Sequence, residues 1–212
     1  VSDESSEINL NGASGGTFTE NRNIHPILPF AGDNIIEGRY GNSIRFGNTS
    51  KIDASITNNW FEEGDTGSPI TILRNGQNPE IEPPGWVPTV EDINKDLSSI
   101  YLTSTQKIPI ETSAYNTSAF SEPPEAPEVY IKNQVILNSG RLLFNTNEDS
   151  IIISSQKNVS INADKEIGIS GEDNVTLLSS KINLGDLDAE QSLVLGDDFM
   201  TQFDILLQNL KS

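Results

Sequence analysis

The sequence predicts an all-β protein: a small N-terminal β-domain, then a β-helix wound jointly by three chains, then a short C-terminal helix. Three observations carry this expectation. Between Val135 and Leu184, apolar residues recur at strict eight-residue intervals. Upstream, Gly, Asn and Pro turns separate short apolar stretches with no helical period. Only beyond Gly196 does the apolar spacing become helical.

The repeat has two columns. The first reads Val135, Leu143, Ile151, Val159, Ile167 and Val175; the second reads Leu137, Asn145, Ile153, Ile161, Ile169 and Leu177. The pair recurs as Ile182 and Leu184, one residue short of register. A spacing of two within each pair puts both side chains on one face of a strand. The intervening residues are mostly Ser, Asn, Asp, Lys, Glu and Gly, which suit turns and solvent. A period of 3.6 residues would scatter the columns around a helix axis. Eight extended residues span only about 26 Å, too little for one chain to encircle a core. Three chains winding together would pack both columns along a common axis and leave the polar residues outside. An antiparallel sandwich is the competing architecture, but its strand spacing would wander where this one does not.

Composition fits an elongated, highly solvated object. Hydrophobic residues make up 34% of the 212, and 31 acidic against 13 basic residues give a net charge of −18. Such a chain is repelled by nucleic-acid phosphates and anionic membranes, so no nucleic-acid partner is expected. The acidity also discourages edge-to-edge aggregation of β-structure. Without Cys there are no disulfides or thiolate metal sites. No apolar run approaches the roughly 20 residues of a membrane-spanning helix. The chain begins at Val1 and its single Met is Met200, which leads us to expect a processed product or a fragment.

Taken in order, residues 1–23 are Ser-, Glu-, Gly- and Asn-rich and read as a flexible arm. Residues 24–97 have the texture of a small β-domain. Its expected strands are Asn34–Glu37, Ser43–Phe46 and Ile70–Leu73, with turns at Gly38, Gly41-Asn42, Gly47-Asn48 and Asn75-Gly76. Trp60 precedes Glu62, Glu63 and Asp65, a conceivable sugar platform beside paired acids. Consecutive acids on an extended chain face different ways, so a Trp packing a loop is preferred and no catalytic residue is assigned. His25, the one histidine, fits neither a metal cluster nor a triad and is taken as structural.

Residues 98–110 place Ile100 and Leu102 eight before Ile108 and Ile110, and so predict a first β-helix segment. Pro123, Pro124 and Pro127 mark residues 111–128 as a looped-out linker. The main β-helix is expected over 129–196, with a last paired strand at Leu193 and Leu195. Residues 197–212 predict a helix capped by Asp197 or Asp198, with Phe199, Phe203, Leu206, Leu207 and Leu210 on one side. Alone it would be marginal in water, so it is expected to bundle with its copies or dock a partner. The Asn-X-Ser/Thr triplets at Asn48, Asn116, Asn158 and Asn174 are chance-level in so polar a chain, and no glycans are assigned. The isolated GEDN at Gly171–Asn174 reads as a plain turn, so no cofactor or metal is expected.

The octads, with the stretches EGRYGNSIRFGNT, SSIYLTSTQKIPI and QVILNSGRLLFN, resemble the central spikes of T-even-type contractile-tail phages, the cyanophage members above all. The resemblance runs from Ile27 onward. It departs from the T-even octad in placing Ile or Leu where that family commonly has Gly. It implies an OB-like barrel ahead of a triple-stranded β-helix, in a homotrimer of the virion's tail baseplate. It further implies neighbouring hub proteins, a PAAR-like tip protein at the C-terminal end, and a needle that punctures the host envelope without enzymatic activity. The alternative is a glycan- or receptor-binding tail fibre or depolymerase. Such a protein needs exposed aromatics along the repeat, where Phe144 is the only one between Val135 and Leu195.

Overall fold

The computed structural model describes residues 23–50, 60, 67–78, 80, 86–183 and 196–210. These residues are mostly β. Five strands, β1 (Asn34–Glu37), β2 (Asn42–Asn48), β3 (Pro69–Asn75), β4 (Ser98–Thr103) and β5 (Gln134–Ser139), form one antiparallel sheet in sequential order. One helix, α1 (Gly196–Asn209), follows. Strand β1 has the bounds read from its sequence, and β2 and β3 extend theirs at both ends. The expected Gly47-Asn48 turn is instead the end of β2, where Gly47 and Asn48 pair with Ile70 and Pro69. The helix begins at Gly196, so Asp197 and Asp198, the two expected caps, both lie within its first turn.

The hairpin joining β1 and β2 closes through the Gly38 amide, 2.8 Å from the Asn42 carbonyl, and needs Gly41 at a φ of 86°. At the end of β3, Gly76 has a φ of 90°, and a Cβ there would stand 2.6 Å from Leu97 Cδ1. Both positions therefore select glycine on conformation, and the second also on space.

Two expectations about the domain boundary are corrected. Residues 98–110 do not begin a separate helical segment: β4 pairs Ser98–Thr103 with β3 on one side and with β5 on the other. The pairs Ile100/Leu102 and Ile108/Ile110 keep octad spacing, yet the backbone hydrogen bonds of the first pair belong to an antiparallel ladder. Within the segment expected over 129–196, Gln134–Ser139 is likewise a strand of this sheet, its fifth. The sequential strand order also differs from the Greek-key order of an OB barrel among the described residues.

The sheet buries one face against its own loops. Ile70, Ile72 and Tyr101 point into a cluster with Trp60, Ile93 and Ile108. Trp60 is 2% exposed and meets Phe30 edge-on, with ring centroids 6.4 Å apart, as a loop-packing Trp should. Its acidic neighbours Glu62, Glu63 and Asp65 lie outside the described residues. Burial pushes the Tyr101 hydroxyl far above its ordinary range, so it is neutral.

A cation sits in the same layer. Arg45, on the inward parity of β2, is fully buried. Its Nε and Nη2 donate to the two Glu91 carboxylate oxygens at 2.9 and 2.8 Å, its Nη2 also to the Leu28 carbonyl at 3.0 Å, and its Nη1 to Asp33. The guanidinium lies 5.5 Å from the Phe30 ring centroid and 5.7 Å from that of Trp60. Burial alone would lower its pKa, but Glu91 and Asp33 outweigh that and raise it. The bidentate geometry is the arrangement in which a buried charge is tolerated.

Polar clamps tie the loops down. Gln106 Nε2 donates to Thr49 Oγ1 at 2.9 Å and to the Ser68 carbonyl at 3.0 Å, while its Oε1 accepts from the Ser104 amide at 2.9 Å. The His25 amide donates to Gln77 Oε1 at 2.8 Å, and its ring Nδ1 lies 2.8 Å from the Val87 carbonyl. His25 is buried. A parallel bridge between Ile27 and Thr89 brings the entering chain alongside the loop before β4.

Candidate functional site

The region that differs most from this core begins where β5 ends. From Gly140 onward the backbone bends at Gly140, Glu148, Gln156, Asp164, Glu172 and Ser180, a strict eight-residue interval. The octad of side chains is therefore also an octad of backbone geometry. Local contacts repeat with it. The Ser155 hydroxyl accepts from the Lys157 amide and the Ser179 hydroxyl from the Lys181 amide, both at 3.3 Å and three octads apart.

The side chains keep to their faces. Asn162 Nδ2 donates to Ser160 Oγ at 2.7 Å, so the two share a face and Ile161 between them occupies the other. Thr176 Oγ1 and Asn174 Oδ1, 3.2 Å apart, do the same around Val175. The first column is evenly exposed, between 50% and 53% at Ile151, Val159, Ile167 and Val175. The second is more open, between 63% and 74% at Ile153, Ile161, Ile169 and Leu177. Leu143 and Ile182 are exposed as well, and Leu184, Leu193 and Leu195 lie outside the described residues.

Among the described residues, no backbone-to-backbone hydrogen bond is formed by residues 140–183. One contact ties the Pro-rich loop to the repeat: Asn158 Nδ2 donates to the Glu122 carbonyl at 3.2 Å. Asn145, the polar member of the second column, donates through Nδ2 to Asn147 Oδ1 at 3.0 Å. Two apolar columns and an unpaired backbone running beside each other call for both kinds of partner at once: side chains to bury against, and strands to pair with.

Helix α1 poses the same problem. Phe199 and Phe203 stack with centroids 5.8 Å apart, yet they, Leu206, Leu207 and Leu210 are all exposed. Among the described residues α1 touches none of the five strands.

Val135 and Leu137, which head the two columns, lie on β5 and face outward from the sheet. They are joined there by Ile36, Phe46, Leu73, Ile100 and Leu102, which the sequence does not mark as one surface. The available signal was in β3, where apolar residues occupy both parities at Ile70, Ile72 and Leu73, so the strand has no wholly polar face.

A cleft of about 500 Å³ is lined by His25, Glu37, Arg74, Gln77 and Trp86, with Arg74 Nη1 3.7 Å from Asp96 Oδ1. Among the described residues, the cleft brings together the His25 ring, whose Nδ1 lies against the Val87 carbonyl, and the Glu37 carboxylate. Asp96 is pushed up to about 6, by burial first, with Arg74 opposing. No group of three or more potential metal ligands occurs among the described residues, and no described helix is long and apolar enough to cross a membrane. Comparison with known proteins finds no matching family model, no matching curated protein and no matching solved structure.

Proposed function

We propose that this protein is a homotrimeric structural spike of a contractile phage tail baseplate, in which residues 140–183 of three chains wind into one β-helix. The observation that carries the reading is the eight-residue recurrence of backbone bends together with columns left open to solvent in the single chain. Three copies would bury both columns on a shared axis, pair the free backbone across chains, and let the polar bends face water. The acidic, Ser- and Asn-rich exterior keeps such a shaft soluble. The sheet domain would attach it to neighbouring hub proteins. The helices α1 would bundle at the far end or seat a tip protein. Its work is mechanical penetration of the host envelope when the tail contracts, and the reading needs no catalytic residue or cofactor. Interchain pairing over such sequence distances makes assembly slow and unfolding slower.

The test is mass in solution. Light scattering or sedimentation of the intact chain should give three times 23.1 kDa, stable to mild detergent. A folded monomer would remove the reading.

A further inference from the structure

We propose that the outward face of the five-stranded sheet is an interface with further copies of this chain, so that three sheets enclose an apolar core continuous with the shared repeat. The inference rests on the trimeric reading above and adds the surface by which the N-terminal domain joins it.

The face is built in register. Ile36, Ile44, Leu73, Ile100 and Leu137 form one cross-strand row through all five strands. The neighbouring row holds Phe46, Thr71, Leu102 and Val135, with Asn34 at the edge. Four inter-strand spacings make each row roughly 19 Å long. Neither row contains a charged residue, in a chain whose net charge is −18. A polar row, Asn42, Asn75, Ser98 and Ser139, borders the band, with the two serine hydroxyls 2.9 Å apart. An apolar centre with a polar rim is the anatomy of a protein interface.

The parity of β2 makes the point sharply. Its apolar Ile44 and Phe46 face outward, while Arg45 is turned inward and satisfied by Glu91 and Asp33. A sheet apolar on both faces must be covered on both. Among the described residues, the loops cover only the inner one. Over the outer row lies a cleft of about 640 Å³, walled at one end by Arg141 and Leu142 just past the bend at Gly140.

The occupant follows from continuity. Val135 and Leu137 belong to this face and also begin the two octad columns. Whatever covers the columns at Leu143 therefore arrives beside Leu137, on the same side of the chain. Among the described residues, α1 of the same chain touches no strand, so it does not serve. A charged partner gains nothing from rows without charge, whereas a second copy brings an identical apolar row.

The chain has no Cys, so a single introduced thiol reports without background. Full-length Ile44→Cys, Leu73→Cys and Ile100→Cys, spread along one row, are treated with a short bis-maleimide and run on a denaturing gel. The solution mass is measured on the same samples, and Ser160→Cys, on the outer face of the repeat, serves as control. A pairwise cross-linker joins at most two chains of a three-fold assembly, so on the order of two-thirds of the protein should shift to a cross-linked dimer. The control should stay monomeric on the gel. Trimer mass with no cross-link at any of the three positions would overturn this interface and leave the shared repeat standing. Monomer mass in the unmodified chain would remove both.

Discussion

In the sheet domain Ile72 and Tyr101 are covered by Trp60 and Ile93 of the same chain, whereas Ile153 and Ile161 of the repeat stay open to solvent. The residues are equally apolar, so composition does not separate the two regions. Reach does. The sheet folds back on itself through loops that carry Phe30, Glu91 and Gln106 to its inner face. The repeat bends every eight residues, and the described residues leave both of its columns exposed. A domain of the first kind is stabilised by its own burial, and a segment of the second kind only by association.

The two regions should therefore break differently. The largest effect is expected at Arg45. Arg45→Met leaves Glu91 and Asp33 buried without their cation, which typically costs about 3–5 kcal/mol in each chain. Trp60, packed beside that guanidinium, reports it: the fluorescence transition of the sheet domain should move to lower denaturant. An unshifted transition would mean that the ion cluster is not part of the domain's stability.

Next comes the repeat. Ile161→Ala should cost about 2–5 kcal/mol per chain if the residue is buried by association. Ser160→Ala, on the opposite face, should stay within about 0.5 kcal/mol. Heat and detergent resistance of the assembled protein compare the two. If Ser160→Ala is the more damaging, the columns have been assigned to the wrong face.

A smaller effect separates the regions by pH. In the folded domain Asp96 holds its proton up to about pH 6, against 3.8 ordinarily. Between those values the folded state binds more protons than the unfolded state, so this group's contribution to stability falls as pH rises. It is greatest below about pH 3.8 and levels off above about pH 6, and is worth at most about 3 kcal/mol at about 1.4 kcal/mol per pH unit. Acidifying from pH 7 to 5 should raise the sheet domain's melting temperature relative to that of Asp96→Asn, which lacks the titrating group. Equal slopes in the two proteins would show that Asp96 is ionised throughout.

Several elements were legible in the residues and several were not, for identifiable reasons. The octad was legible because a strict interval of eight needs no knowledge of what the columns touch. β1 and α1 were legible from local punctuation: Gly38 after Glu37, Gly196 before the helical spacing. The stretch from Ser98 misled because Ile100 and Leu102 alternate in the same way in a sheet strand as in a repeat. The choice between them belongs to Leu73 and Leu137, which pair with Ile100 from either side. The Arg45 cluster was invisible for a related reason: Glu91 lies 46 residues from Arg45 and only the fold joins them.

By itself, then, the sequence determined the period of the repeat, the all-β character and the terminal helix, since each is a property of spacing along one strand of chain. Tertiary structure alone decided which face of each strand turns inward. Side-chain alternation defines two faces but does not say which is covered, and in β2 the covered one is Arg45's. That choice depends on partners distant in the chain: Glu91 and Asp33 within the domain.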